Sequence, residues 1–130
     1  MTRLFSLLLL TVCCFACNND DDVSAVLIED AVGTYAGFFT DTETNGIVLD
    51  YEVLVSRQGD NELFFEPVQG FEFVSFATEL ETFNNIQLRT PPGDTTDVAV
   101  DITVGTPVVL VLTGSGEPGF QFRFEGVLQE

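Results

Sequence analysis

Asp41, Glu43, Asn45 and Glu52 are the residues of this chain whose types and spacing come nearest to a binding chemistry. In Asp41-Thr42-Glu43-Thr44-Asn45-Gly46, with Glu52 after five further residues, oxygen ligands recur at alternate positions and a glycine stands sixth. That is close to the calcium-loop pattern D-x-[DN]-x-[DN]-G-x5-E. Hard calcium takes such oxygens, and glycine at the sixth position permits the sharp turn. Two facts point the other way: Glu43 replaces a shorter Asp or Asn, and the flanks are strand-like where the pattern needs helices. A hairpin with Asn45-Gly46 in a type I′ turn accounts for the same residues. The plain hairpin is the expected structure, a weak calcium site is the alternative, and no other cofactor is expected.

Catalytic chemistry has little to draw on. The chain has no histidine and no lysine, and its three cysteines are Cys13, Cys14 and Cys17. The common nucleophile–base pairs are therefore out of reach beyond residue 17, and so are zinc sites built from Cys or His. Gly114-Ser115-Gly116 lacks the strand–turn–helix context of a nucleophile elbow and reads as a loop. Carboxylates are so abundant that no pair, Glu79 and Glu81 included, stands out for hydrolysis. The expectation is a protein that is not an enzyme.

Cys17 carries a different chemistry. Arg3 supplies a positive start, Leu4 to Phe15 form an apolar run, Ala16 is small, and polar Asn18-Asn19-Asp20-Asp21-Asp22 follow Cys17 at once. The apolar run falls short of the roughly 20 residues that span a bilayer. Basic start, apolar middle and small residue at the cut fit a secretory signal. Cys14-Phe15-Ala16-Cys17 resembles the lipobox of bacterial lipoproteins, with Ala16 matching the small residue beside the acylated cysteine. Cys13 and Cys14 are poorer acceptors, because bulky Val12 and Cys13 would sit at the cut. The acidic stretch Asn19 to Asp22 resembles the surface-export tag of Bacteroidota-type lipoproteins. The resemblance implies residues 1–16 as a signal peptide, an acylated (palmitate-type) Cys17, a tether over 17–30, and an address at the outer membrane, exposed at the cell surface. An ordinary secretory signal cut elsewhere is the alternative.

Cutting before Cys17 leaves 114 residues, a natural length for one domain. No disulfide is available to it once Cys17 is acylated. Removal of Arg3 takes the formal net charge from −17 to −18, with Arg57, Arg89 and Arg123 set against 21 acidic residues. No basic patch can be assembled, which excludes nucleic acid as a partner and adhesion to anionic lipid through protein charge. The membrane is met through the lipid.

The elements that must position all this are strands. From Ala31 onward, turn signals recur about every ten residues: Asn45-Gly46, Gly59-Asp60-Asn61, Gly70, Asn84-Asn85, Pro91-Pro92-Gly93, Gly105-Thr106-Pro107 and Gly114-Ser115-Gly116. Between them lie runs rich in Val, Ile, Phe, Thr and Tyr. Several alternate with the two-residue period of a half-buried sheet. Phe120, Phe122, Phe124 and Leu128 share a face opposite Gln121, Arg123 and Glu125. Val98, Val100, Ile102 and Val104 do likewise, and Ile47, Leu49, Tyr51, Val53 and Val55 form a third set. Val108 to Leu112 is apolar on both faces, which suits a central or doubly covered strand. About eight strands and mostly short turns predict an all-β antiparallel meander over residues 31–130, closed as a small barrel, with a β-sandwich as the alternative.

Gly33-Thr34-Tyr35-Ala36-Gly37-Phe38-Phe39 resembles the Gly-x-Tyr/Trp-x-Gly opening strand of lipocalin-like (calycin) domains in small bacterial lipoproteins. Phe120-Gln121-Phe122-Arg123-Phe124-Glu125-Gly126 resembles their closing strand, which pairs with the first. Tyr35 replaces the usual tryptophan, and the chain is shorter than a full lipocalin. A barrel of this size is either filled by side chains or holds one small ligand. Eleven phenylalanines lie beyond residue 17, and Phe has no polar handle. Two roles follow from that. Tyr35, Phe73, Phe122 and Phe124 would line a pocket for a small apolar ligand; otherwise the rings fill the core and the protein works through its surface and loops, toward an envelope protein. Phe64, Phe65, Phe71, Phe73 and Phe76 cannot all face inward on regular strands, so some must cover an edge or form a patch.

Overall fold

The computed structural model describes residues 28–70, 73–93, 96–103, 105–115 and 121–130. Cys17 and the expected tether as far as residue 27, Phe71, Val104 and Phe120 lie outside them. Among the described residues, nine strands follow one short 3-10 helix, Ile28–Ala31. They are β1 (Gly33–Asp41), β2 (Ile47–Arg57), β3 (Glu62–Pro67), β4 (Phe76–Glu79), β5 (Glu81–Phe83), β6 (Gln87–Arg89), β7 (Thr96–Asp101), β8 (Val109–Gly114) and β9 (Phe122–Leu128).

All pairings are antiparallel, in the order β4-β3-β2-β1-β9-β8-β7-β6-β5. Chain neighbours are sheet neighbours, and β9 returns to pair with β1 from Tyr35↔Leu128 to Asp41↔Phe122. The two outermost strands, β4 and β5, are separated only by Leu80. The sheet therefore curls into a nearly closed barrel of the small lipocalin-like kind, with its seam along β4 and β5, and is not a sandwich. Residues 76–83 follow one path broken at Leu80, whose N–H donates to the Asn61 carbonyl at 2.8 Å. One half pairs with β3 and the other with β6, so the eight runs of the sequence become nine strands.

Alternation holds in β7 and β9. Val98 and Val100 are buried beside exposed Asp97, and Phe122 and Phe124 are buried beside exposed Arg123 and Glu125. β8 lies between β7 and β9, with Leu110 and Leu112 in the core and Val109 and Val111 partly covered on the outer wall. That answers the doubly apolar run. In β2 the alternation breaks. From Gly37 to Phe39, β1 advances two residues while its partner moves three, from Tyr51 to Val48. Asp50 takes the left-handed conformation there, at φ 53°. Beyond this β-bulge Val48 pairs with buried Phe39, and Ile47, Val48 and Leu49 all stand exposed, so Ile47 and Leu49, expected inside with Tyr51, are outside the core.

Two glycines set how closely β1 and β9 approach. A Cβ on Gly37 would lie 2.0 Å from the Glu125 carbonyl oxygen, and one on Gly126 would lie 2.4 Å from the Phe124 ring. The two are cross-strand partners, so the Phe124 ring covers bare backbone where a side chain would otherwise stand. At the end where β1 begins, the 3-10 helix buries Ile28 and Ala31. The Tyr35 hydroxyl donates to the Ala31 carbonyl at 2.8 Å, and Arg57 pairs with Glu29. Burial pushes the Tyr35 phenol far above its ordinary range, which keeps it neutral and a donor.

Candidate functional site

The barrel interior is where the chain concentrates its rings. β1 contributes Phe39, β2 Tyr51 and β9 Phe122 and Phe124, all from inward positions of regular strands. Phe73 arrives differently, from the segment between β3 and β4, and is buried nevertheless. Phe73 stacks on Phe122 with centroids 4.8 Å apart, and Phe122 stacks on Phe39 at 5.7 Å. Phe39 meets Tyr51 at 4.8 Å, and Tyr51 meets Phe124 edge-on at 6.0 Å. A second pair, Phe65 and Phe76, stacks at 5.2 Å and joins through Phe73 and Phe76 at 6.2 Å. Rings at these separations touch one another. Among the described residues they form one connected cluster of rings inside the barrel.

Of the four residues expected to line a pocket, the structure brings Phe73, Phe122 and Phe124 into this cluster. Tyr35 is equally buried but sits toward the other end, bonded to the 3-10 helix. Phe39, Tyr51, Phe65 and Phe76 belong to the cluster and were not among the expected site residues. Phe39 and Tyr51 carried a legible signal, each at a two-residue spacing from an inward position. Phe73 carried none, because it lies on no strand.

Of the four oxygen-bearing residues of the calcium pattern, Glu52 is placed apart from the other three. Asp41, Glu43 and Asn45 form the β1–β2 connection, closed by Asp41 N–H to the Gly46 carbonyl at 2.9 Å. Asp41 Oδ1 accepts from the backbone N–H groups of Glu43 and Thr44, and its Oδ2 accepts from the Thr44 hydroxyl at 2.7 Å. The Thr44 hydroxyl, with help from those N–H groups, holds the carboxyl below its ordinary range. This carboxylate is spent on shaping its own turn. Glu52 pairs across to Ala36 and accepts from Gln69. Ala36 lies five positions from Asp41 along β1, about 16 Å at the rise of a strand. Among the described residues, no group of three or more His, Cys, Asp or Glu is arranged to hold a metal ion.

The connection is also not the turn expected. Asn45 has φ 58°, but Gly46 is not left-handed, so Asn45-Gly46 is not a type I′ turn. That geometry occurs at Asn84-Asn85, with φ 52° and 57°, where Ile86 N–H bonds to the Phe83 carbonyl. A like carboxylate device recurs at Asp101, held below its ordinary range chiefly by the Thr103 hydroxyl, against a small opposing effect of burial.

A cleft of about 430 Å³ opens on the outer wall of β5, β6 and β7, lined by Glu81, Phe83, Arg89, Pro91, Pro92 and Asp97 among others. Fold and interior together define a small antiparallel β-barrel protein with a ring-packed core. Comparison with known proteins adds no family to that class: no family model matches the chain, and no curated protein and no solved structure matches it.

Proposed function

We propose that this chain is a lipid-anchored lipoprotein of the outer membrane, exposed at the cell surface, whose barrel is a packed scaffold acting without catalysis through its outer wall and loops. The observation that carries the scaffold reading is the run of rings from Phe73 through Phe122 and Phe39 to Tyr51, each in contact with the next. A core filled this way leaves recognition to the surface, where an envelope protein is the expected partner. The address rests on the signal ending at Cys17. Residues 1–16 would be removed, and stable anchoring takes more than one acyl chain, at about 0.8 kcal/mol per buried methylene.

A second reading, a small apolar ligand held inside the barrel, is favoured by one feature. Phe73 enters from a connecting segment, so a guest could take its place without disturbing a strand. Native mass spectrometry of the full-length protein purified from its own envelope separates the two readings. The bare lipidated mass supports the scaffold, and a co-purifying apolar molecule overturns it. Cys17→Ala should release the protein from the membrane fraction; retention there would end the lipoprotein assignment.

A further inference from the structure

Three arginines follow Cys17, and two of them are spoken for. Arg57 pairs with Glu29 and Asp60, and Arg123 pairs with Glu125 at 3.4 Å. Arg89 makes no ion pair among the described residues, although Glu81 stands directly opposite it across β5 and β6. Its guanidinium carbon lies instead 4.5 Å from the centroid of the Phe83 ring. In a chain with 21 carboxylates, a cation that passes over its facing acid for an aromatic ring is unusual. The stack occupies the flat face of the guanidinium. Its N–H donors lie in the plane, in the fork that matches a carboxylate.

The surroundings narrow what can bind. Arg89 is opposite Ala99 on β7, and Asp97 lies two residues along on the same outer face. Asp97 is therefore a diagonal neighbour, within about 7–8 Å, while Glu81 is within about 5.5 Å by Cβ atoms. A lone anion would meet Arg89 between two carboxylates on a molecule of strongly negative charge. A phosphate dianion would fare worse. A zwitterion escapes both penalties, since it is neutral at long range, places its carboxylate on the guanidinium and offers its ammonium to Glu81 or Asp97. The cleft's 430 Å³ falls within the span of small-molecule sites. Pro91 and Pro92 give it a wall of little conformational freedom.

We infer that the outer-wall cleft of β5–β7 around Arg89, Phe83, Glu81 and Asp97 binds a small zwitterion of the α-amino-acid class. This deepens the surface reading above, because it names a ligand for the outer wall while the interior stays packed. The test is titration of the full-length protein in detergent with L-leucine, followed by the Arg89 side-chain Nε–H resonance and by calorimetry. Acetate, methylammonium and inorganic phosphate serve as single-function probes. Saturable binding of L-leucine is expected, with each of the three probes at least about tenfold weaker. Arg89→Gln should weaken L-leucine by about tenfold or more, the scale of a lost charge-assisted hydrogen bond, and Glu81→Gln by less. Arg89 is exposed, so its replacement leaves the core intact, and an unchanged circular dichroism spectrum would verify this. Acetate or phosphate as tight as L-leucine, no saturable response, or full binding by Arg89→Gln would each overturn the assignment. An apolar molecule found inside the barrel while L-leucine still binds at Arg89 would sink the scaffold reading and spare the cleft.

Discussion

Phe122 and Phe83 are the same residue put to opposite uses. Phe122 on β9 is almost wholly buried and touches Phe39 and Phe73. Phe83 on β5 is 44% exposed, and its ring carries Arg89. Inside, a ring contributes by the area it removes from water and by shape, and asks for no polar partner. Outside, the same ring gains little from burial but presents a face of negative quadrupole, which orients a cation. A count of phenylalanines therefore says little about function. The side of the wall each one occupies decides.

The largest effect should come from Phe122→Ala. Truncation of a buried ring costs about 3–5 kcal/mol, a large share of the 5–15 kcal/mol typical of a domain. Urea denaturation measures it, and a loss under about 1 kcal/mol would mean that the rings do not pack as described. Next comes Tyr35→Phe, which keeps the ring and removes the bond to the Ala31 carbonyl. About 1 kcal/mol is expected, with hydrogen exchange rising first in the 3-10 helix Ile28–Ala31. Phe83→Ala should cost no more than about 0.5–1 kcal/mol, the scale of an exposed cation–π contact. Its mark should be a more mobile Arg89 side chain in nitrogen relaxation. A loss as large as that of Phe122→Ala would erase the contrast between the two rings.

The smallest effect is electrostatic. Asp41 and Asp101 both have carboxyls held below the ordinary value of 3.8, each chiefly by a threonine hydroxyl. A lowered folded value means stability that is present above about pH 4 and is lost as pH falls through that lowered value. Both groups are exposed, so solvent screens much of the benefit. Thermal unfolding of Thr44→Ala and Thr103→Ala beside the parent should show small losses at neutral pH that shrink as the pH falls through the lowered carboxyl values. A loss that stayed constant with pH would remove the carboxylates from the account.

The all-β class and the antiparallel meander were legible in the sequence, because two-residue alternation and regular turns are local properties of a chain; the closing of β9 on β1 was expected only from the resemblance of the first and last strands to those of lipocalin-like domains. The face of each strand was legible in β7 and β9 for the same reason. In β2 it failed from Asp50 back to Ile47, since one extra residue in a bulge breaks the alternation there and leaves all four residues exposed. The interior site was half legible. Phe122 and Phe124 follow from alternation, whereas Phe73 depends on how the segment after β3 folds back over the barrel. The Arg89 cleft was not legible at all, because nothing local pairs Phe83 with a guanidinium or leaves Glu81 unused.

Composition by itself determined the large excess of acidic residues and the want of histidine and lysine, and a short run gave the expectation of a signal before Cys17. These depend on which residues are present and on short runs, so no folding is needed to read them. Only the tertiary structure decided that the rings touch each other, that Asp41 serves its own turn while Glu52 stands far along the strand, and that the outer wall leaves Arg89 over Phe83. The ring contacts join residues distant in the chain and arise only when strand register, bulge and barrel closure act together, whereas the Asp41 turn and the Arg89 stack are local but depend on side-chain geometry that residue type alone does not give.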